Sequence, residues 1–231
     1  MSTIGENLAR VQDRIRRAAE RVGRSPEEIR LVAVSKTVEP ERIIAALQAG
    51  VRILGENYVQ EAQKKIPEVG AGLSWHFIGH LQTNKAKAAL RLFDWIHSVD
   101  RPSLAEELSR LATGQGKVLR VLLQVHLSEE TTKFGAKEEE VMAMAERVST
   151  LGGIAVQGLM TMPPYFDDPE EARPYFVKLR RLGEKLAARK IPGITMAEYS
   201  MGMSNDFETA IEEGATLLRI GTAIFGPRPA K

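Results

Sequence analysis

Eight short apolar runs recur along the chain, and a segment of helical character separates each run from the next. Continuous apolar strands joined by crossover helices are typical of parallel sheets whose faces are covered by helices. Eight such units predict an α/β fold, a closed (β/α)8 TIM barrel. An open doubly wound sheet is the alternative, but no glycine-rich dinucleotide loop follows the first run. The predicted strands are residues 31–36, 51–54, 75–79, 94–99, 118–126, 154–160, 194–199 and 217–220.

An extra helix is predicted ahead of the barrel, over residues 1–23. Its apolar residues recur mostly at three- and four-residue spacing, Thr3 and Glu6 match a capping box, and Gly23 is a plausible end. A later helix is predicted over residues 57–66, with Pro67 ending it. Because no linker or low-complexity stretch interrupts the chain, residues 1–231 are predicted to form a single domain.

Composition excludes several functional classes. The net charge of +2, with basic and acidic residues interleaved, does not predict a nucleic-acid partner. The chain has no cysteine, which excludes disulfides and thiolate chemistry. His76 and His80 lack companion ligands, so no metal is expected. A charged N-terminus and the lack of a membrane-length apolar run predict a cytoplasmic protein without membrane association.

Lys36 closes the first predicted strand. In a (β/α)8 barrel the active site lies at the carboxyl ends of the strands, and a lysine in that position is not an ordinary surface residue. An amine buried among apolar groups has a lowered pKa and attacks carbonyl carbons. The alternative is a side chain that extends along the apolar surface and reaches solvent.

The loops after the last two predicted strands are rich in small and hydroxyl-bearing residues. Residues 200–204 (SMGMS) precede a helix start, and Gly221 and Thr222 precede another apolar turn. Such loops bind phosphate through backbone N–H groups, and barrels often hold phosphate here. Alternatively, the glycines only shape turns and Ser204 only caps a helix. A Schiff-base lysine beside a phosphate cradle suits pyridoxal 5′-phosphate (PLP), whose aldehyde and phosphate lie on opposite sides of one ring.

Arg219 lies within the last apolar strand, where an unpaired charge is costly. The PLP ring nitrogen can act as its acceptor. Because arginine keeps its proton, the ring would stay unprotonated and would be a weak electron sink. The alternative is a structural ion pair with Glu198 or Glu56.

Six segments, in order along nearly the whole chain, resemble the pyridoxal phosphate homeostasis proteins. They are AVSKTV around Lys36, GENYVQE at 55–61, WHFIGHLQTNK at 75–85, GLMTM at 158–162, SMGMSND at 200–206 and RIGTAIFG at 219–226. The fold of that family is a single PLP-binding barrel, similar to the N-terminal domain of bacterial alanine racemase.

The resemblance implies that Lys36 holds PLP as a Schiff base, the internal aldimine, and that Arg219 faces the ring nitrogen. Lys133 is expected at the pocket rim. No catalytic residue is predicted, because family members have no established turnover and are thought to buffer and deliver PLP, with PLP-dependent apo-enzymes as partners of a monomer. The predicted cofactor-binding residues are Lys36, Asn57, His76, Met160, Ser200, Gly202, Met203, Ser204, Arg219, Gly221 and Thr222.

Two enzymatic alternatives remain. A racemase of the alanine racemase type needs a second base, which a second domain and a partner's tyrosine supply. The chain ends at Lys231, soon after the eighth predicted strand, so that domain is not expected. A Schiff-base lyase acting on a phosphorylated sugar would also use Lys36, and the absorbance spectrum of the protein distinguishes it.

Overall fold

The computed structural model describes residues 3–128 and 134–227 of the chain. Its strands are β1 (Arg30–Val34), β2 (Ile53–Glu56), β3 (Ser74–Phe77), β4 (Trp95–Val99), β5 (Leu119–His126), β6 (Ala136–Lys137), β7 (Ile154–Met160), β8 (Ile194–Ser200) and β9 (Leu217–Ile220). All of them except β6 form one parallel ring, in which β4 pairs with β5 and β1 pairs with β9. The two-residue β6 lies beside the end of β5. The predicted barrel is confirmed, and ring closure excludes the open sheet.

Helices alternate with the strands of the ring. They are α1 (Ile4–Arg21), α2 (Pro40–Gln48), α3 (Val59–Val69), α4 (Ala86–Leu92), α5 (Pro102–Thr113), α6 (Glu138–Ser149), α7 (Arg173–Ala188), α8 (Phe207–Glu212) and α9 (Thr222–Phe225). The extra helix α1 begins at the predicted capping box, in which the Thr3 hydroxyl accepts from the Glu6 N–H and the Glu6 carboxylate accepts from the Thr3 N–H. Its buried face packs against α2, α8 and α9.

Several predicted boundaries are wrong; β2, for example, begins and ends two residues later than predicted. Strand β1 ends at Val34, so Lys36 lies in the turn beyond the strand. Helix α3 continues through Pro67 to Val69, and the Gly70 N–H still donates to the Ile66 carbonyl. A proline near the end of a helix removes a single N–H donor, so the last turn persists.

Strand residues point alternately to the helices and to the barrel axis, and each direction has its own apolar core. The larger core fills the space between the ring and the helices. The inner cluster comprises Val32, Trp95, Leu122, Met160 and Leu217. These side chains fill the barrel, which is therefore a packed core and not a channel. Burial of each one stabilises the fold by about 1.5–3 kcal/mol.

Candidate functional site

A cavity of about 240 Å³ opens at the carboxyl ends of the strands. Its wall comes from the ends of β1 and β9 and from the loops after β2, β3, β7 and β8. This is the face of a barrel on which ligands bind. Seven of the predicted site residues line the cavity together: Lys36, Asn57, Met203, Ser204, Arg219, Gly221 and Thr222.

Four predicted site residues lie away from the lining of this cavity. Met160 is fully buried in the inner apolar cluster, and His76 and Ser200 are buried in the barrel interior. Gly202 has a φ of +89°, and a Cβ there would lie 2.6 Å from the Cβ of Ala210. A side chain at position 202 would therefore both strain the backbone and clash with α8. Lys133 lies outside the described residues.

The turn that carries Lys36 is held by hydrogen bonds on both sides. The Ser35 N–H donates to the Gly55 carbonyl at 3.0 Å, and the Thr37 N–H donates to Glu61 Oε1 at 2.5 Å. Thr37 has a φ of +60°, which is uncommon for a β-branched residue. Such strain persists only where surrounding contacts enforce it, and it is frequent at functional sites.

Below this turn lies a buried cluster of charges. Lys65 Nζ donates to the Ser35 carbonyl at 2.6 Å, to Glu56 Oε1 at 3.0 Å and to Glu61 Oε1 at 2.6 Å. The Ser35 hydroxyl also donates to Glu56 Oε1, at 2.7 Å. Burial raises the pKa of the Glu56 carboxyl, and the nearby Lys65 opposes that rise. The cluster therefore ties the Lys36 turn to β2 and α3.

Arg219 is buried at the floor of the cavity. Its Nη1 donates to the Ser200 hydroxyl at 2.6 Å and its Nη2 donates to the Thr161 carbonyl at 2.8 Å. Burial lowers the pKa of the guanidinium to about 10, and Asp206 opposes this, so the group stays charged at neutral pH.

The alternative interpretation of Arg219, an ion pair with Glu198 or Glu56, is not found among the described residues. Glu198 instead pairs with Arg30 at 2.5 Å, and Glu56 pairs with Lys65. A guanidinium has five N–H groups, and these two hydrogen bonds, to Ser200 and to Thr161, use two of them. Arg219 thus retains donors for an acceptor within the cavity.

The loops after β8 and β9 are tied to each other beside the cavity. The Ser204 hydroxyl accepts from the Ala223 N–H at 3.3 Å, in the first turn of α9. Asp206 Oδ1 accepts from the Met203 N–H at 2.6 Å, and burial raises the pKa of this carboxyl. The small and hydroxyl-bearing residues that the sequence singled out therefore meet at one edge of the cavity.

Exposed apolar side chains surround the mouth of the cavity. Met162 and Tyr165 line it, and Tyr165 is 73% exposed. An adjoining cavity of about 490 Å³ shares Met162 and includes Phe134, whose ring stacks on His80 with centroids 3.7 Å apart.

Over residues 3–128 and 134–227, no three histidine, aspartate or glutamate side chains come together in a way that could hold a metal ion. Within the same ranges, no helix is long and apolar enough to cross a bilayer.

Comparison with known proteins places the chain in a family. The family described as "Alanine racemase, N-terminal domain" matches residues 7–229. A pyridoxal phosphate homeostasis protein from Aquifex aeolicus is 45% identical over 224 residues, covering 96% of this chain and 97% of the relative. This chain belongs to the pyridoxal phosphate homeostasis protein family. The Escherichia coli (strain K12) member is 43% identical over 232 residues, covering 99% of this chain and 98% of the relative.

Solved structures extend the comparison to the fold. PipY of Synechococcus elongatus, solved with PLP bound, is 37% identical with a TM-score of 0.86, and the match covers 97% of this chain and 100% of PipY. Alanine racemase from Corynebacterium glutamicum has a TM-score of 0.73 at 17% identity, covering 98% of this chain and 62% of the racemase. The racemase shares the fold, and the family likeness lies with the homeostasis proteins.

Sequence reasoning missed the groups beneath the cavity. His97 is fully buried next to His76 and Ser200, and Lys65 is 7% exposed. One local signal was available for Lys65, because Glu61 and Lys65 have the spacing of a helical ion pair. No comparable signal marks His97, whose partners are distant in the chain.

Proposed function

We propose that this protein binds PLP covalently through Lys36 and holds it for intracellular PLP homeostasis, without catalytic turnover. The observation that carries the proposal is one cavity lined by Lys36, Arg219 and the hydroxyl-bearing loops after β8 and β9. PipY, with the same fold and 37% identity, was solved with PLP bound.

The residues of the cavity fit the chemical groups of PLP. Lys36 supplies an amine for the aldehyde, and Arg219 supplies N–H donors for the ring nitrogen. Ser204 and Thr222 supply hydroxyls for the phosphate. Val34 and Ile78 supply apolar walls for the ring. PLP, when bound, supplies an electrophilic carbon and an electron sink.

Arg219 supports a holding role over catalysis. Its pKa of about 10 keeps it a donor at neutral pH, so it does not deliver a proton to the ring nitrogen. An unprotonated pyridine is the weaker electron sink, which disfavours reactions that build negative charge on a substrate carbon. We therefore assign Lys36 to anchoring and Arg219 to orienting the ring, and no residue to catalysis.

The cellular setting belongs to the same proposal. A protein that holds PLP would act in the cytoplasm as a monomer and would pass PLP to apo-enzymes that need it. The name of the relatives supports the PLP role, and the monomeric state is what the family resemblance implies. PLP transfer to an apo-enzyme, compared with the rate from free PLP, tests the delivery step.

Replacing the anchoring amine tests the proposal directly. Lys36→Ala should lose the visible absorbance of the PLP-loaded protein and the borohydride-stable adduct that peptide mass spectrometry places at residue 36, because no other amine takes its position. The matched control is Lys87→Ala, on the exposed face of α4. An adduct at another lysine in the unaltered protein would contradict the site, and a colourless protein would favour the sugar lyase.

Racemisation is the competing activity, because Tyr165 lines the same cavity as Lys36. A racemase would interconvert the D and L forms of an amino acid and would lose that activity in Tyr165→Phe. We expect no interconversion above that of free PLP. Turnover that depends on both Lys36 and Tyr165 would replace the holding role with a catalytic one.

A further inference from the structure

A series of hydrogen-bonded side chains crosses the barrel interior beneath the cavity. The contacts are Arg219 Nη1 to Ser200 Oγ at 2.6 Å, Ser200 Oγ to His97 Nδ1 at 2.9 Å, His97 Nε2 to His76 Nδ1 at 2.9 Å, His76 Nε2 to Ser74 Oγ at 3.1 Å, and Ser74 Oγ to Asp94 Oδ2 at 3.0 Å. We call this series the interior chain. It runs from the cavity floor to an exposed carboxylate at the opposite end of the barrel.

The carboxylate end of the interior chain, together with the burial of both imidazoles, fixes the direction of its hydrogen bonds. A guanidinium only donates, so the Ser200 oxygen accepts from Arg219. The Ser200 oxygen has a second lone pair, so this end alone does not fix the direction of its bond with His97 Nδ1. At the other end a carboxylate only accepts, so the Ser74 hydroxyl donates to Asp94.

Two neutral histidines have one consistent arrangement between these ends. The Ser74 proton goes to Asp94, so His76 carries its proton on Nε2 and donates it to the Ser74 oxygen. His76 Nδ1 then accepts from His97 Nε2–H, and His97 Nδ1 accepts from the Ser200 hydroxyl. A second proton on either ring would be a charge in the barrel interior, where both imidazoles are buried. Both histidines are therefore neutral Nε2–H tautomers.

Burial and neighbouring charges agree with this assignment. His76 is 1% exposed and His97 is fully buried. Burial, then Arg30 and Arg120, lower the pKa of His76 to about 3. Burial, then His76, Arg219 and Arg30, hold the pKa of His97 well below its usual range.

We infer that His76 and His97 are positioning residues, which hold the Arg219 guanidinium in one orientation through Ser200. The second anchor, the Thr161 carbonyl, fixes the other terminal nitrogen of Arg219 at 2.8 Å. With both terminal nitrogens held, the plane of the guanidinium at the cavity floor is determined. The expected effect on PLP affinity rests on the function proposed above, whereas the assignment of the histidine tautomers is independent of it.

Nitrogen NMR on the unaltered protein tests the tautomers. Long-range ¹⁵N–¹H correlations should show His76 and His97 protonated at Nε2 alone, with no titration between about pH 5 and 8, where an ordinary histidine gains a proton. A signal from an Nδ1 proton, or a charge change in that range, would overturn the inference. This measurement requires neither PLP nor a variant.

Substitution of His97 tests the positioning role. His97→Leu removes the acceptor for Ser200 and the donor to His76, and PLP affinity should fall by about tenfold or more. His97→Gln keeps one acceptor and one donor, and affinity should stay within about threefold of the unaltered protein. The absorbance maximum of bound PLP should shift in His97→Leu and should equal that of the unaltered protein in His97→Gln.

The control is His126→Leu, since His126 lies at the end of β5 outside the interior chain. PLP binding by His97→Leu equal to that of His126→Leu would overturn the positioning role. If the leucine variant does not fold, the glutamine variant and the NMR measurement decide the inference. An unaltered protein that does not bind PLP would refute the proposed function, while the tautomers would still be decided by NMR.

Discussion

The anchoring role proposed for Lys36 requires its amine to stay in one place, and hydrogen bonds hold the main chain on both sides of this residue. Ser35 and Thr37 bond to groups that share the single ammonium of Lys65. Removing one partner of a buried ion pair leaves the other charge without compensation, which is far costlier than losing a surface pair. The Lys65 cluster is therefore the support on which the Lys36 turn depends.

Loss of the Lys65 charge should be strongly destabilising. Lys65→Met keeps most of the apolar stem but leaves the buried Glu56 without its ammonium partner, and the free energy of unfolding should fall by about 3–5 kcal/mol. Urea denaturation measures this. The control is Lys64→Met, one position away on the exposed face of α3. Equal stabilities for the two variants would refute the supporting role.

Lys36 and Arg219 could be singled out from sequence because each is a charge beside or within an apolar run. The acceptors of Arg219 could not, since Ser200 and Thr161 belong to other strands and their approach depends on strand register. Because strand register is not visible in the sequence, the choice between the PLP ring nitrogen and a glutamate as the partner of Arg219 stayed open.

At the scale of elements, the six-residue helix α8 follows the loop that contains Met203 and Ser204 and is too short to be stable alone. Arginines from two longer helices hold it. Arg21 of α1 contacts Glu212 at 2.9 Å, and Arg173 of α7 contacts Glu212 at 2.6 Å. Arg173 also contacts Glu213, just beyond α8, at 2.7 Å.

This arrangement should contribute to stability above the pKa of an unfolded glutamate. The Arg173 guanidinium, followed by Arg21, lowers the pKa of Glu212 in the folded state. The contribution is fully present above pH 4.5, the ordinary pKa of a glutamate, and it is lost as the pH falls through the lowered pKa of Glu212 in the folded state.

Arg173→Gln should lower the free energy of unfolding by about 1 kcal/mol at neutral pH and by less in acid. Urea titrations across the acid range measure the difference. Arg181→Gln, at an exposed position of the same helix, is the control. A loss for Arg173→Gln that does not depend on pH would show that its packing, and not its charge, supports α8.

Element order was predictable because helix and strand periodicities are local properties of the chain. The boundaries of the elements were less predictable. Residues 35–36 extend an apolar strand in sequence, yet the turn begins there because Ser35, Thr37 and Lys65 form the contacts that bend the chain. Tertiary contacts override local preference in such places.

At the scale of the whole molecule, closure of the ring makes each strand depend on two neighbours, and the first strand pairs with the last. A ring of this kind has no edge at which one part can unfold while the rest persists. The chain should therefore behave as the single domain predicted from sequence.

Unfolding should be one cooperative transition by both far- and near-ultraviolet circular dichroism. PLP at about 100 times its dissociation constant should raise the free energy of unfolding by about 2.7 kcal/mol, because it binds only the folded state. Added PLP should raise the thermal midpoint of Lys36→Ala by less than that of the unaltered protein. Two separate transitions would contradict the single domain.

The sequence by itself determined the eight-unit pattern and the helix ahead of it, and it singled out Lys36 and Arg219, since periodicity and an unusual charge are local features of a sequence. Only the tertiary structure decided that His76, His97 and Ser200 join Arg219 in the interior chain. These side chains come from β3, β4, β8 and β9, and which of them meet depends on ring closure and strand register. Hydrogen bonds act over about 3 Å, so partners more than a hundred residues apart become apparent only once the barrel has closed.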